Sequence, residues 1–379
     1  MHAHSGHPSR LLAAGTALAA VLAATSLTAP AVATAAGGTN TGFTRTHVVA
    51  STIPGNGDVN PYGVAVVPRS TGRLIVGDVL VSNFNNAPTT GSPGGQQGRG
   101  STIVEISPRG HRRLFAHVGA ASVPGGVGLS TALVVLRSGW VIVGSLPTTD
   151  GTPATMRPGA LIVLDPRGQV RAVLRGHGID GPWDATTADH GRTADLFVSN
   201  VLPGITAGQP PTTRRGDVIR LRLDLRGARP RILCSTVVAD DLPVRTDPAA
   251  LVVGPTGLAL APGGTLFVAD TAGSRIARIP RALTRSTPVD AGAGRATVAS
   301  GAPLNGPLGL ALTHDGDLLT VNSGDNTLVE ITPRGTVITT RDLDPVDPPG
   351  GALFGLATST HPRGVYYVND DTNTLNLLH

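Results

Sequence analysis

The 379-residue chain holds 50 Gly and 31 Pro, and this density of turn formers excludes a mainly helical protein in favour of many short strands. A hydrophobic content of 40% is enough for a sizeable core, while only 3% of residues are aromatic, which argues against a broad aromatic binding surface. The net charge of +5 is spread along the chain with Arg as its basic residue; Arg112-Arg113 and Arg214-Arg215 are pairs rather than a stripe, so the concentrated basic footprint that nucleic-acid binding needs is missing.

In chain order, Arg10 with His2, His4 and His7 precedes an apolar stretch over 11–27. Ala31-Val32-Ala33 and Ala33-Thr34-Ala35 then offer small-x-small cleavage sites, so 1–35 reads as a secretory signal and 36–43 as a spacer. Gly15, Thr16, Thr25 and Ser26 interrupt the apolar stretch and make it a poor permanent span; a retained anchor helix is the alternative. No later segment is apolar and long enough to cross a membrane, so the reading is a secreted, extracytoplasmic chain.

Residues 45–51 (RTHVVAS) form one isolated strand. A four-strand pattern then recurs, each copy marked by short apolar runs between Asp-Gly, Pro-x-Gly or Asn-rich turns. The copies run 62–67, 80–82, 102–106, 112–117; then 131–136, 140–143, 160–164, 169–174; then 183–187, 196–199, 217–221, 231–238. They continue with 257–260, 265–269, 275–279, 296–300 and with 308–312, 318–321, 328–331, 336–340. The last copy supplies 354–357, 365–368 and 374–378, and the chain stops at His379. Pairing the orphan strand 45–51 with this three-strand copy closes a ring and leaves no open sheet edge. The fold class is therefore all-β: a single six-bladed β-propeller over 44–379 with four-stranded antiparallel blades, closed by the N-terminal strand. A short polar residue follows each second strand: Asn83, Ser145, Asn200, Asp270, Asn322 and Asn369. Turn capping repeated per blade explains this ring better than a ligand site. The single cysteine, Cys234, excludes a disulfide within the chain and is expected to be a buried, inert thiol.

The segments GPTGLALAPGGTLFVADTAGSRIARI (254–279) and 306–331 resemble NHL repeats, a pattern of six-bladed propellers. The resemblance covers about 62–379. It implies fold rather than function, since related propellers include SMP-30/gluconolactonase-like enzymes, streptogramin-type lyases, peptide-amidating lyases and pure binding domains. Asp180-Gly181-Pro182-Trp183 also resembles the Glu-Gly-Pro-x-Trp segment of SMP-30-like enzymes, whose acidic residue binds a divalent metal; Asp180 would be the matching residue. The residue between Pro and Trp is missing, the segment sits in the third copy, and the family's Pro-Asn-Gly asparagine is replaced in Pro255-Thr256-Gly257 and Pro307-Leu308-Gly309.

Function is sought where copies depart from one another. Loops between second and third strands are long in blades one to three (84–100, 146–159, 201–216) and tight in blades four to six. First strands enter the channel at Tyr62, Thr131, Trp183, Thr256, Leu308 and Phe354. The next position is Gly63, Ala132, Asp184, Gly257, Gly309 and Gly355, so Asp184 alone breaks a rule of small residues. A carboxylate at a crowded axis is a candidate for a perturbed pKa and for catalysis; the bland reading is an Asp satisfied by backbone N–H groups. The expectation is a monomeric binding module whose long-loop face holds a small molecule, glycan or protein, with Tyr62, Trp183, Asp184 and Phe354 as ligand-binding residues. The alternative is a lactonase-like hydrolase or lyase using a divalent cation (Ca or Mg) held by Asp180, Asp184, Asn60 and Asn305. His177 lies near the candidate face, but no His set, serine elbow or phosphate loop is visible.

Overall fold

The computed structural model describes residues 42–202, 212–247, 250–345 and 350–379. The predicted signal segment and the centre of the long loop in blade three lie outside these residues. Among the described residues no helix is long and apolar enough to cross a membrane.

Six antiparallel sheets form the blades of a propeller. Blade one is Val59–Val66, Val79–Asn85, Thr102–Ile106 and Arg112–His117; blade two is Leu129–Val135, Val141–Ser145, Ala160–Leu164 and Val170–Leu174. Blade three is Pro182–Asp189, Thr193–Asn200, Thr213–Asp224 and Arg231–Asp247; blade four is Pro255–Leu260, Leu266–Asp270, Arg275–Ile279 and Thr297–Ser300. Blade five is Pro307–Leu312, Leu318–Asn322, Thr327–Ile331 and Val337–Asp342. Blade six takes Leu353–Thr360, Arg363–Asn369 and Thr374–Leu378 from the C-terminal part of the chain and Thr46–Ser51 from the N-terminal part. The closing pair runs antiparallel, with Thr46 opposite Leu378 and Ser51 opposite Thr374.

Each blade is twisted and apolar on both faces, so the core lies in layers between neighbouring blades rather than at one centre. Between blades one and two, for example, Leu80, Ile103 and Phe115 pack on Leu133, Val141 and Ile162. Hydroxyl groups stitch the inner seam. Ser82 Oγ accepts from Gly63 N (3.0 Å) and donates to Ser130 O (2.9 Å), and Ser130 Oγ donates to Pro182 O (2.6 Å). In blade three Ser199 Oγ accepts from Asp184 N (3.0 Å) and donates to Thr256 O (2.8 Å).

The polar ring after the second strands is structural. Asn322 Oδ1 accepts from Asn305 N (3.1 Å), and Asn369 Oδ1 accepts from Thr372 N (3.0 Å). Asn200 holds the chain entering its own blade, accepting from Asp180 N (3.2 Å) and donating to Gly178 O (2.8 Å). Cys234 corrects the expectation: it is exposed, because the outermost strand of blade three has no further blade to cover that position.

Blade three departs furthest from the repeat. Its two outer strands are 12 and 17 residues long, and Arg231–Asp247 then pairs with Leu251–Val253. This extra pair belongs to the connection between blades three and four.

Candidate functional site

The face carrying the inter-blade connections is termed upper. The channel is closed at this end. Tyr62 stacks on Phe354 (4.0 Å between ring centroids), Phe84 (4.4 Å) and Trp183 (5.4 Å). Leu308 and the strand Leu251–Val253 pack on the same group. Trp183 Nε1 donates to Val252 O at 3.0 Å, so the indole N–H is satisfied by the covering strand. Three of the four residues expected to bind a ligand, Tyr62, Trp183 and Phe354, are thus brought together, but as a plug that is 1–3% exposed. In the run 239–253, Asp247-Pro248 marks a turn before the apolar Leu251-Val252-Val253, but three residues are too short a run to read as a covering strand, and it was missed for that reason.

Directly below the plug lies the ring of small residues. A Cβ on Gly355 would stand 2.1 Å from Tyr62 O, and one on Gly257 would stand 2.3 Å from Leu308 O. Glycine there lets one blade's inner strand rest on the backbone of the next. Asp184 occupies the equivalent place at the seam of blades three and four. Its Oδ2 accepts from Leu258 N (2.9 Å) and its Oδ1 from Ala185 N (2.8 Å). The carboxylate therefore bridges a seam that other blades close by direct contact. Part of its surface remains open to the channel, and burial pushes it up to about 7 against the two N–H groups that hold it down.

The four residues expected to bind metal are engaged separately. Asn60 N donates to Asn373 Oδ1 (2.7 Å), Asp180 N donates to Asn200 Oδ1, Asp184 spans the seam, and Asn305 Nδ2 donates to Asp325 Oδ2 (3.1 Å). Among the described residues no group of three or more His, Cys, Asp or Glu is placed to hold a metal ion. No step is derived through a divalent cation. A smaller oxygen cluster stands at the upper rim beside Tyr62. Asn60 Oδ1, the Tyr62 hydroxyl and Asp370 Oδ1 are buried beside one another; Asn60 lies close enough to act on the Tyr62 hydroxyl, but the pair falls short of full hydrogen-bond geometry. Burial raises the Tyr62 pKa well above the ordinary value, with Asp370 contributing, and burial followed by Asp371 pushes Asp370 up to about 7.

On the upper face, the long loops of blades one and two lock onto each other. Thr148 N donates to Gly98 O (3.0 Å), Thr148 Oγ1 donates to Gln97 O (2.6 Å), and Arg99 donates to Thr149 O. Asp150 Oδ1 gathers Thr152 N (2.9 Å) and the hydroxyls of Thr152 and Thr155. The two loops make one built, polar platform.

The lower end of the channel is open. A cavity of about 410 Å³ runs from Asp184 to the ends of the first strands, with walls of Val66, Leu133, Leu258, Leu310 and Leu356. A second cavity of about 500 Å³ lies beside it between blades five and six, lined by Phe43, His314 and Arg363 and sharing Leu312 and Thr358 with the channel. Arg363 stands over the Phe43 ring at 5.9 Å.

No family model matches the chain, and no curated protein matches it. Solved structures do. A gluconolactonase from Xanthomonas campestris has 14% identity and a TM-score of 0.55 over 88% of each chain. A putative gluconolactonase has 17% identity and a TM-score of 0.54 over 88% of this chain and 91% of its own. Regucalcin from Agrobacterium tumefaciens, described as a calcium-binding protein, has 12% identity and a TM-score of 0.50 over 86% of this chain and 92% of its own. The likeness is to the fold. These neighbours are SMP-30/gluconolactonase-like six-bladed propellers, and at such identity they carry no residue role across.

The desolvated carboxylates give a stability prediction. Asp184, Asp217 and Asp370 are pushed up to about 7 and Asp78 to about 6, burial being the largest cause in each, from an ordinary value of 3.8. A carboxyl whose folded pKa is raised is held better as the neutral acid in the folded state. The penalty for ionising it is absent below the unfolded pKa and grows as pH rises toward 7. Asp224, lowered to about 2 chiefly by its hydrogen bond with Arg226, acts oppositely and loses its contribution as pH falls through that value. Thermal unfolding from about pH 4 to 8 should therefore show a midpoint that falls across this range. A midpoint that rises toward pH 8 would show these groups to be well solvated.

Proposed function

We propose that the chain is an exported binding propeller, which engages a polar partner through the upper platform of blades one and two. The observation that supports this over a metal-dependent hydrolase or lyase is the Tyr62–Trp183–Phe354 plug under Leu251–Val253, which fills the channel mouth where such a reaction would need open space and converging oxygens. Asp184, the expected catalytic residue, lies below the plug, away from that mouth, with each oxygen held by one backbone N–H. Metal analysis of the purified protein together with a lactone panel tests the reading: neither stoichiometric metal nor turnover is expected. Lactone turnover that requires calcium or magnesium and disappears in Asp184→Ala, in a variant that still folds, would overturn it.

A second reading has one observation in its favour. Asn60 Oδ1, Asp370 Oδ1 and the Tyr62 hydroxyl are hard oxygens of the kind a divalent cation takes. A calcium-dependent rise in the unfolding midpoint that is lost in Asp370→Asn would favour a cation at the upper rim.

A further inference from the structure

We propose that the lower channel is a binding site for a primary alkylamine in its ammonium form, with the nitrogen at Asp184 and the hydrocarbon along the channel wall. The proposal concerns the face opposite the upper platform and shares with the binding reading only the premise of a non-catalytic propeller.

Three features carry it. The channel is a blind well, since the aromatic plug closes its inner end and the lower face opens it, so a ligand enters one way. Its volume of about 410 Å³ falls in the range of small-molecule sites, roughly 300–1,000 Å³. The side chains that line it are aliphatic apart from Asp184 and a few threonines, with polar main-chain atoms exposed between them, and Asp184 is the one titratable group among the described residues lining it. An ionised carboxylate among aliphatic side chains is costly, and a cation brought beside it recovers that cost. Each Asp184 oxygen accepts one backbone N–H and keeps capacity for a second donor. Burial raises the Asp184 pKa, and the backbone hydrogen bonds from Leu258 and Ala185 oppose this. A fatty carboxylate would be repelled at this end and would find its counter-charge instead at Arg363 in the neighbouring cavity.

The test uses n-octylammonium chloride and sodium octanoate below their micellar concentrations, followed by titration calorimetry and thermal unfolding on the full chain. At about pH 8, octylammonium should bind at one site and raise the unfolding midpoint, and octanoate should bind at least about tenfold more weakly, a like charge beside Asp184 being unfavourable. Lowering the pH to about 5.5 should weaken octylammonium binding about thirtyfold, because Asp184 titrates near 7 and each unit below that costs about tenfold in its ionised fraction, while the ligand keeps its charge. Val66→Trp narrows the channel without touching Asp184 and should abolish binding while the variant unfolds cooperatively. Equal affinity for the two amphiphiles, no effect of pH, or full binding in a folded Val66→Trp chain would each overturn the proposal. The pH comparison needs no variant, so a Val66→Trp chain that does not fold leaves the proposal open to refutation. Loss of amine binding with no metal and no turnover would leave the upper-face reading standing.

Discussion

Trp183→Ala is expected to destabilise the protein by about 3–5 kcal/mol, the range for removing a large buried aromatic side chain. Trp183 is 3% exposed, stacks on Tyr62, and donates to Val252 O at 3.0 Å. Truncation removes the stack and strands that carbonyl, which by itself costs about 1–3 kcal/mol. The hole cannot collapse easily, because Tyr62 and Phe354 hang from inner strands fixed by the close contacts at Gly355 and Gly309. Urea unfolding of the two proteins measures the difference; Trp183→Phe should retain part of the loss by keeping the ring contacts without the N–H. A loss under about 1 kcal/mol for Trp183→Ala would mean that these rings are not a packed plug.

A chain beginning at Thr52 is expected to be worse off than any point variant, compared with one beginning at Gly42. Removing Thr46–Ser51 strips the outer strand of blade six and with it the ladder from Thr46–Leu378 to Ser51–Thr374. Hydrogen bonds worth about 1 kcal/mol each net are only part of the loss. Val49 and Ala50 leave the core between blades six and one, and Thr374–Leu378 becomes an open edge with an apolar sequence. The expected result is a strongly lowered unfolding midpoint and self-associated species in size-exclusion chromatography. Adding a peptide of residues 44–51 in trans should restore part of both. An unchanged midpoint and elution volume would mean that the ring does not depend on this closure.

The fold was legible because its signals are local. Each blade repeats the same run-turn-run pattern, and the arithmetic of three strands at one end and one at the other requires closure. Asp184 was legible as an exception among Gly63, Gly257, Gly309 and Gly355, and the seam geometry explains why: that position faces the neighbouring blade's backbone. Tyr62, Trp183 and Phe354 were correctly placed at the axis, but their packing against one another was not, since stacking depends on how far six first strands converge.

The strand Leu251–Val253 marks the limit of the sequence. Three residues that bury themselves over a channel mouth have no period of their own, and their partner strand Arg231–Asp247 continues without a turn past the end of its blade. By itself the sequence determined six blades, the closing strand and the odd carboxylate, since each follows from repetition and its exceptions. Only the tertiary structure decided that the upper mouth is stoppered and that the open well lies on the lower face, because both depend on side chains from five or more separate strands meeting at one axis.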